Sequence, residues 1–301
     1  MGRELFQLAR LQNTALYFEA SVGGGIPIVQ TLKENLSGNK IISITGILNG
    51  TANFILSKMS QEKLSFEKAL KIAQEKGYAE ADPTLDIEGV DAAHKLVILI
   101  MLAYGKNFPL EKLTIEGISN TDPYDIKMAE EFGYTIKLIA KVKERSGDLQ
   151  AGVYPVLIPK KHILAKVDGP FNAILIEGNG VGPIMLYGQG AGDLPTGSAV
   201  LSDIMAIIRS NSYNNTGFYS DEIEDATILE DKYTSCCHYF RFQVEDRPGV
   251  LAILAGIMGE RNISIAQVVQ RQEKIGKYVP VVFLTHRAQI KKYKRCNRRD
   301  R

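Results

Sequence analysis

The chain has 301 residues, 45% of them hydrophobic and 23% charged, with a formal charge of +2; this is the composition of a soluble globular protein with room for about two domains. No apolar run approaches the ~18 residues of a membrane span, since the longest covers residues 96–104. The N-terminal MGRELFQLAR lacks the apolar core of a signal peptide, and Phe6 stands where a myristoylation site takes Ser or Thr, so a cytoplasmic protein is expected.

Residues 3–14 read as a helix, with Leu5, Phe6, Ala9 and Leu11 apolar. Ala15–Glu19 reads as a strand that feeds SVGGGIPI. Three successive glycines there imply a backbone in close approach to an anion, a cation held by carbonyls, or another chain segment. Ile41–Ile47 alternates as a strand and ends at Asn49-Gly50-Thr51, where a helix over Thr51–Met59 begins. Residues 65–76 form a further helix: Ser65 is the N-cap, Glu67 lies in the first turn, Phe66, Ala69, Leu70 and Ala73 share a face, and Gly77 is the stop.

Residues 77–95, GYAEADPTLDIEGVDAAHK, are the most informative stretch. Glu80, Asp82, Asp86 and Glu88 crowd four carboxylates around Pro83, more like charge than a packed loop needs, although a solvated acidic turn has the same composition. Asp91 and Lys95 are four apart on a helix expected over about 89–104, so they share a face. Such pairs are most often solvated. Here the helix continues into the uncharged LVILIMLAY, and a lysine beside an apolar wall is partly desolvated, which favours losing its proton. An acid one turn earlier favours keeping it, and that opposition suits a proton donor and acceptor.

Asp122–Tyr134 reads as an amphipathic helix, residues 136–143 and 151–158 as paired strands around Ser146-Gly147-Asp148, and Phe171–Glu177 and Ile184–Tyr187 as two more strands. In LYGQGAGDLPTGSAVLSDIMAII, a strand and a glycine loop precede a helix over Ser198–Ile208. That shape offers backbone N–H groups to an anionic cofactor, with tight backbone packing as the alternative. Asn211–Asp231 is polar and reads as a linker. A strand over 238–244, a turn at Glu245–Gly249, a helix over Val250–Glu260, and strands over Asn262–Gln272 and Tyr278–Leu284, joined near Gly276, give β-α-β-β, most of a ferredoxin-like unit. Cys236, Cys237 and Cys296 fit a reduced compartment without a disulfide framework, and none has zinc-ligand spacing with the four histidines. The last eleven residues, KKYKRCNRRDR, carry seven basic side chains and one acid, leaving about −4 for the rest; a solvated tail is expected rather than a nucleic-acid surface.

On these motifs the chain resembles homoserine dehydrogenase, the NAD(P)-dependent enzyme of the aspartate pathway to threonine and methionine. The resemblance runs from about residue 3 to 286. It is carried by EASVGGGIPI (19–28), GILNGTANFIL (46–56), GYAEADPTLDIEGVDAAHK (77–95) and YGQGAGDLPTGSAVLSD (187–203). The segment with EDRPGVL resembles an ACT regulatory domain. The implied fold is α+β or α/β: a mixed sheet with helices on one face, plus a remnant of a Rossmann domain, followed by a ferredoxin-like ACT domain. The implied boundaries are 1–218 for the substrate-binding and dimerisation domain, 219–235 for a linker, 236–290 for a partial ACT domain and 291–301 for the basic tail.

The resemblance also implies roles. Lys95 is the implied general acid/base, and Asp91 orients it and helps bind substrate. Glu80 holds the substrate's α-amino group, with Tyr78, Thr51 and Asp86 lining the same pocket. Gly188, Gly190 and Gly192 lie near an NAD(P) cofactor, and Glu19 with the carbonyls of Val22, Gly24 and Ile26 matches a structural sodium site. A homodimer, an amino-acid effector at the ACT domain, and no membrane or nucleic-acid partner complete the implied picture.

The chain departs from the family at both ends. No strand-GxGxxG-helix precedes residue 19, and the family's second catalytic-site lysine belongs to that part, so weak dinucleotide binding by this chain alone is expected. After Thr285-His286 the ACT pattern calls for a second helix and a last strand, where the basic tail stands instead. A catalytically inactive amino-acid-binding regulatory fragment is the alternative function, and an oxidoreductase of another small hydroxy acid a third.

Overall fold

The computed structural model describes residues 2–209, 223–229, 235–271 and 278–289. The chain divides into two compact units, Met1–Ile228 and Leu229–Arg301. The basic tail, Cys296 and the turn near Gly276 lie outside the described residues.

The first unit runs α1 (Gly2–Leu11), β1 (Ile41–Ile47), α2 (Gly50–Glu62), α3 (Phe66–Glu75), α4 (Val90–Tyr104), β2 (Thr114–Ile115), α5 (Pro123–Glu131), β3 (Tyr134–Arg145), β4 (Asp148–Pro159), β5 (Phe171–Gly178), β6 (Gly182–Gln189) and α6 (Asp193–Arg209). The strands form one mixed sheet in the order β2-β4-β3-β1-β5-β6, antiparallel except for the parallel β2–β4 pair. The sheet is centred on β1, whose alternation the sequence displays. β3 and β4 extend past the expected strands into a hairpin of two twelve-residue strands, joined where Ser146 and Gly147 both take positive φ (53° and 94°), the geometry of a two-residue turn whose twist matches its strands.

Period two divides the sheet residues between two cores. Leu138, Ala140 and Val142 of β3, with Ile44 of β1 and Ile174 and Ile176 of β5, pack under Ile55, Met59, Leu96, Leu99 and Ile126 of the helices. On the other face Ile139, Ile47 and Ala173 meet Leu164 and Val167 from the segment between β4 and β5. Lys137 belongs to that second face and is only 2% exposed; its amine donates to Val167 O, Asn53 Oδ1 and Asp168 Oδ1. Burial lowers its proton affinity, and the Asp168 carboxylate partly restores it.

Several expectations need correction. Ala15–Glu19 is not a strand: it joins none of the sheets, and its end turns into a 3₁₀ segment, Glu19–Ser21. α1 stops at Leu11 because Asn13 takes a positive φ and Thr14 N–H bonds back to Ala9 O, which closes the helix. α5 ends at Glu131, short of the expected Tyr134, which already pairs in β3. α6 begins at Asp193, five residues before the expected Ser198, since Pro195 sits in its first turn, where a missing N–H is harmless. Part of the expected linker is packed: Glu224–Asp225 pairs with Lys106–Asn107, Ile223 is buried, and Leu149 N–H bonds to Thr227 O. Two-residue strands carry no period that a sequence can display.

The second unit contains β7 (Tyr239–Glu245), α7 (Val250–Glu260), β8 (Ile265–Gln270) and β9 (Tyr278–Thr285), an antiparallel sheet of order β7-β9-β8. β8 is shorter than the expected Asn262–Gln272, because Asn262 takes a positive φ in the turn after α7. Phe283, Val281, Met258 and Ile263 form its core, with Phe240 and Phe242 against them. Among the described residues, a short strand follows Thr285, Ala288–Gln289, paired with Ser235–Cys236. No described helix is long and apolar enough to cross a membrane.

Candidate active site

Three pieces of chain converge where β1 ends. The first is Leu48-Asn49, the exit of β1 and start of α2. Asn49 is the α2 N-cap: its Oδ1 accepts from Ala52 N–H at 2.8 Å, which satisfies one of the helix's unpaired donors. The second is the short helix Thr84–Ile87, set by Asp82, whose Oδ1 accepts from Thr84 N–H and the Thr84 hydroxyl. The third is the first two turns of α4, carrying Asp91 and Lys95.

Lys95 points inward rather than into open solvent. Its side chain is 19% exposed, and its amine donates to Asp91 Oδ2 at 2.7 Å and Leu48 O at 3.1 Å. The i,i+4 spacing seen in the sequence is therefore a formed ion pair. An ammonium has three N–H donors, so one remains for an added oxygen. Asn49 Nδ2 donates both to Asp86 Oδ1, at 2.6 Å, and to Asp91 Oδ2, at 2.9 Å. Burial pushes the Asp86 carboxyl up. Asn49 opposes this, Asp91 reinforces it, and Lys95 and the Thr51 hydroxyl pull it back.

Thr51 Oγ also donates to the carbonyl of Tyr78 and so ties the acidic loop to the start of α2. The Tyr78 ring, 42% exposed, lies 4.9 Å from the ring of Phe54 on α2. Glu80 is exposed on the same loop, and its carbonyl accepts from Gln74 Nε2. The structure thus joins Thr51, Asp86, Asp91 and Lys95 by hydrogen bonds and charge, connects Tyr78 through Thr51, and leaves Glu80 exposed beside them. Asn49, the centre of the network, shows in the sequence only as the start of a helix. The signal was available: a capping Asn spends its oxygen on the helix and retains two N–H donors.

The two glycine stretches meet each other. A Cβ on Gly24, which has φ of +56°, would lie 2.6 Å from Gly190 C and O, and Gly25 N–H donates to Gln189 O. Of the three partners considered for the first stretch, another chain segment is the one found. Gly188 pairs within β6 opposite Asn172 of β5. Gly192 has φ of +118° at the start of α6. A Cβ on Gly190 would fall 2.1 Å from Asn172 Cγ, and the fully buried Asn172 amide has no hydrogen-bond partner among the described residues at either its oxygen or its nitrogen.

Glu19 is buried at 4% exposure. Its two carboxylate oxygens accept from Val29 N–H and Gln30 N–H, each at 2.8 Å, while its own N–H donates to Asp203 Oδ2 at 2.9 Å. Burial pushes the Glu19 carboxyl up, with Asp203 adding and the two N–H donors and Lys33 opposing; burial pushes Asp203 up as well. Val22 and Ile26 are buried beside Gly23, which has a positive φ.

Comparison with known proteins identifies the family of the chain. The family described as homoserine dehydrogenase matches residues 27–205, and the family described as ACT domain matches 238–292. The chain is 43% identical over 291 residues to the homoserine dehydrogenase of Neisseria gonorrhoeae, covering 95% of this chain and 67% of that protein. It is 44% identical over 283 residues to that of Helicobacter pylori, covering 94% and 66%. The crystal structure of a homoserine dehydrogenase from Thiobacillus denitrificans superposes with a TM-score of 0.90 at 41% identity, over 97% of this chain and 68% of that one. A hyperthermophilic archaeal homoserine dehydrogenase in complex with NADPH superposes with a TM-score of 0.60 at 32% identity, over 70% and 61%. The chain spans about two thirds of the length of these relatives. With a family match over most of the first unit and ~40% identity along nearly the whole chain, this protein belongs to the homoserine dehydrogenase family and carries an ACT domain.

Proposed function

We propose that this chain binds L-homoserine and L-aspartate 4-semialdehyde at the Asp91–Lys95 cluster and takes part in their NAD(P)-dependent interconversion. The observation that carries the reading is the held amine of Lys95, fixed on two sides by Asp91 and Leu48 O with one N–H left over. That donor suits the aldehyde oxygen. When bound, the nicotinamide supplies the hydride. As charge develops on the substrate oxygen, Lys95 stabilises it and delivers its proton; in the reverse direction it takes the proton from the C4 hydroxyl. Asp91 orients the amine. The exposed carboxylate of Glu80 pairs with the substrate ammonium, while Thr51, Tyr78 and Asp86 complete the wall.

The glycines at 188, 190 and 192 fit a cofactor surface. The chain there carries no side chain, and the partnerless amide of Asn172 lies directly under Gly190. The Glu19 region fits a sodium ion. A buried carboxylate beside a second one favours a cation, and the carbonyls of Val22, Gly24 and Ile26 would complete an oxygen-only set. The ACT domain would take an amino-acid effector, and the working form would be a homodimer.

The test is NADPH oxidation with aspartate 4-semialdehyde, wild type against Lys95→Met. Loss of the proton donor should lower the rate roughly 10²–10⁴-fold. A variant within a few-fold of wild type would remove Lys95 from the chemistry. No oxidation by wild type together with calorimetric binding of homoserine would favour a regulatory amino-acid-binding role.

A further inference from the structure

The proton-transfer pair needs its two neighbouring acids held apart, and one side chain touches both. Resting on the reading above, we propose that Asn49 is a positioning residue of this site, its single carboxamide fixing Asp86 and Asp91 in one geometry.

Four observations support this. Asn49 is 5% exposed, so its hydrogen bonds form out of water. Its Oδ1 is committed to Ala52 N–H, which settles which end of the amide faces the acids. Its nitrogen carries two hydrogens, and two carboxylate oxygens receive them, Asp86 at 2.6 Å and Asp91 at 2.9 Å. The preceding carbonyl, Leu48 O, accepts from Lys95. One dipeptide at the exit of β1 therefore touches all three ionisable members of the cluster.

The chemistry requires such a device. Two carboxylates bonded to one nitrogen lie no further apart than the sum of those two bonds, and like charges so close favour protonating one of them. The groups facing Asp86 are Asn49 and Thr51 from the start of α2 and Asp91 and Lys95 from α4. Of these, Asn49 and Thr51 are neutral groups that favour an ionised Asp86 without adding charge.

Helix capping alone is the competing account, and Asn49→Ser separates the two. Serine caps about as well as asparagine but cannot span both carboxylates while its oxygen serves the helix. In the full chain, the carboxyl titration of Asp86 is followed by carbon-detected NMR, and L-homoserine binding by calorimetry across pH. In Asn49→Ser the Asp86 titration should move to higher pH, the acid limb of binding should move with it, and affinity near neutrality should fall at least about tenfold. Asn49→Asp keeps the cap and replaces the donor pair with a third carboxylate, so it should move Asp86 further in the same direction. If both variants leave the Asp86 titration in place and affinity within twofold of wild type, Asn49 is a cap and nothing more. If wild type itself binds no homoserine, the proposed function fails, while the Asp86 titration still decides the role of Asn49.

Discussion

Asp86 shows how far a single side chain departs from what its position in the sequence implies. In the sequence it is one of four acids in a turn. In the structure it is half-buried, bonded to Asn49, and pushed up by burial and by Asp91. A carboxyl raised on folding resists ionising in the native state, so its contribution to stability is present below the unfolded value, near pH 4, and is lost as pH rises through the folded one. Asp86→Asn should therefore be more stable than wild type at pH 7, with the gap closing as pH falls below 4. Urea denaturation at both pH values checks this, and a gap that widens on acidification would contradict it. The Asp91–Lys95 pair was legible because both partners lie on one strongly periodic helix. Asn49 was not, because its role depends on three segments separated by some forty residues and brought together only by the fold. The amide of Asn172 left no mark in the sequence for the same reason.

At the scale of elements, long periodic segments were readable and junctions were not. Ile41–Ile47 is the strand its alternation implies, and the helix after Ser65 has the expected cap and stop. Ala15–Glu19 failed because so short a segment carries too little period to separate a strand from the irregular chain that leads into the 3₁₀ segment. The start of α6 failed because Pro195 and Gly197 read as breakers, although a first turn tolerates the one and a solvated helix face the other. The apposition of the two glycine stretches makes an expectation that separates these uses of glycine. Gly24→Ala places a methyl against the Gly190 backbone in a left-handed conformation and should destabilise the first unit by at least about 2 kcal/mol. Gly197→Ala meets nothing within 4 Å inside a helix and should stabilise it by about 0.5–1 kcal/mol. Chemical denaturation of both variants decides; equal effects would mean that the glycine contact does not hold Gly24–Gly25 to β6.

For the whole molecule, a chain with room for about two domains divides into two units between Ile228 and Leu229, within the expected linker of 219–235, while the packing of the linker's first half was not legible. The chain from 223 to 228 packs on the first unit through strands too short to leave a pattern. The first unit assembles a held lysine, a wall of acids and an exposed glutamate around one end of a sheet, and the account rests on these recognising a single amino alcohol. Calorimetric titration of the intact chain with L-homoserine and with 4-hydroxybutanoate, which lacks the amino group, tests that directly. Homoserine should bind, and the analogue should bind at least about tenfold more weakly because it loses a charge-assisted contact to Glu80. Equal affinities, or no homoserine binding, would contradict the account.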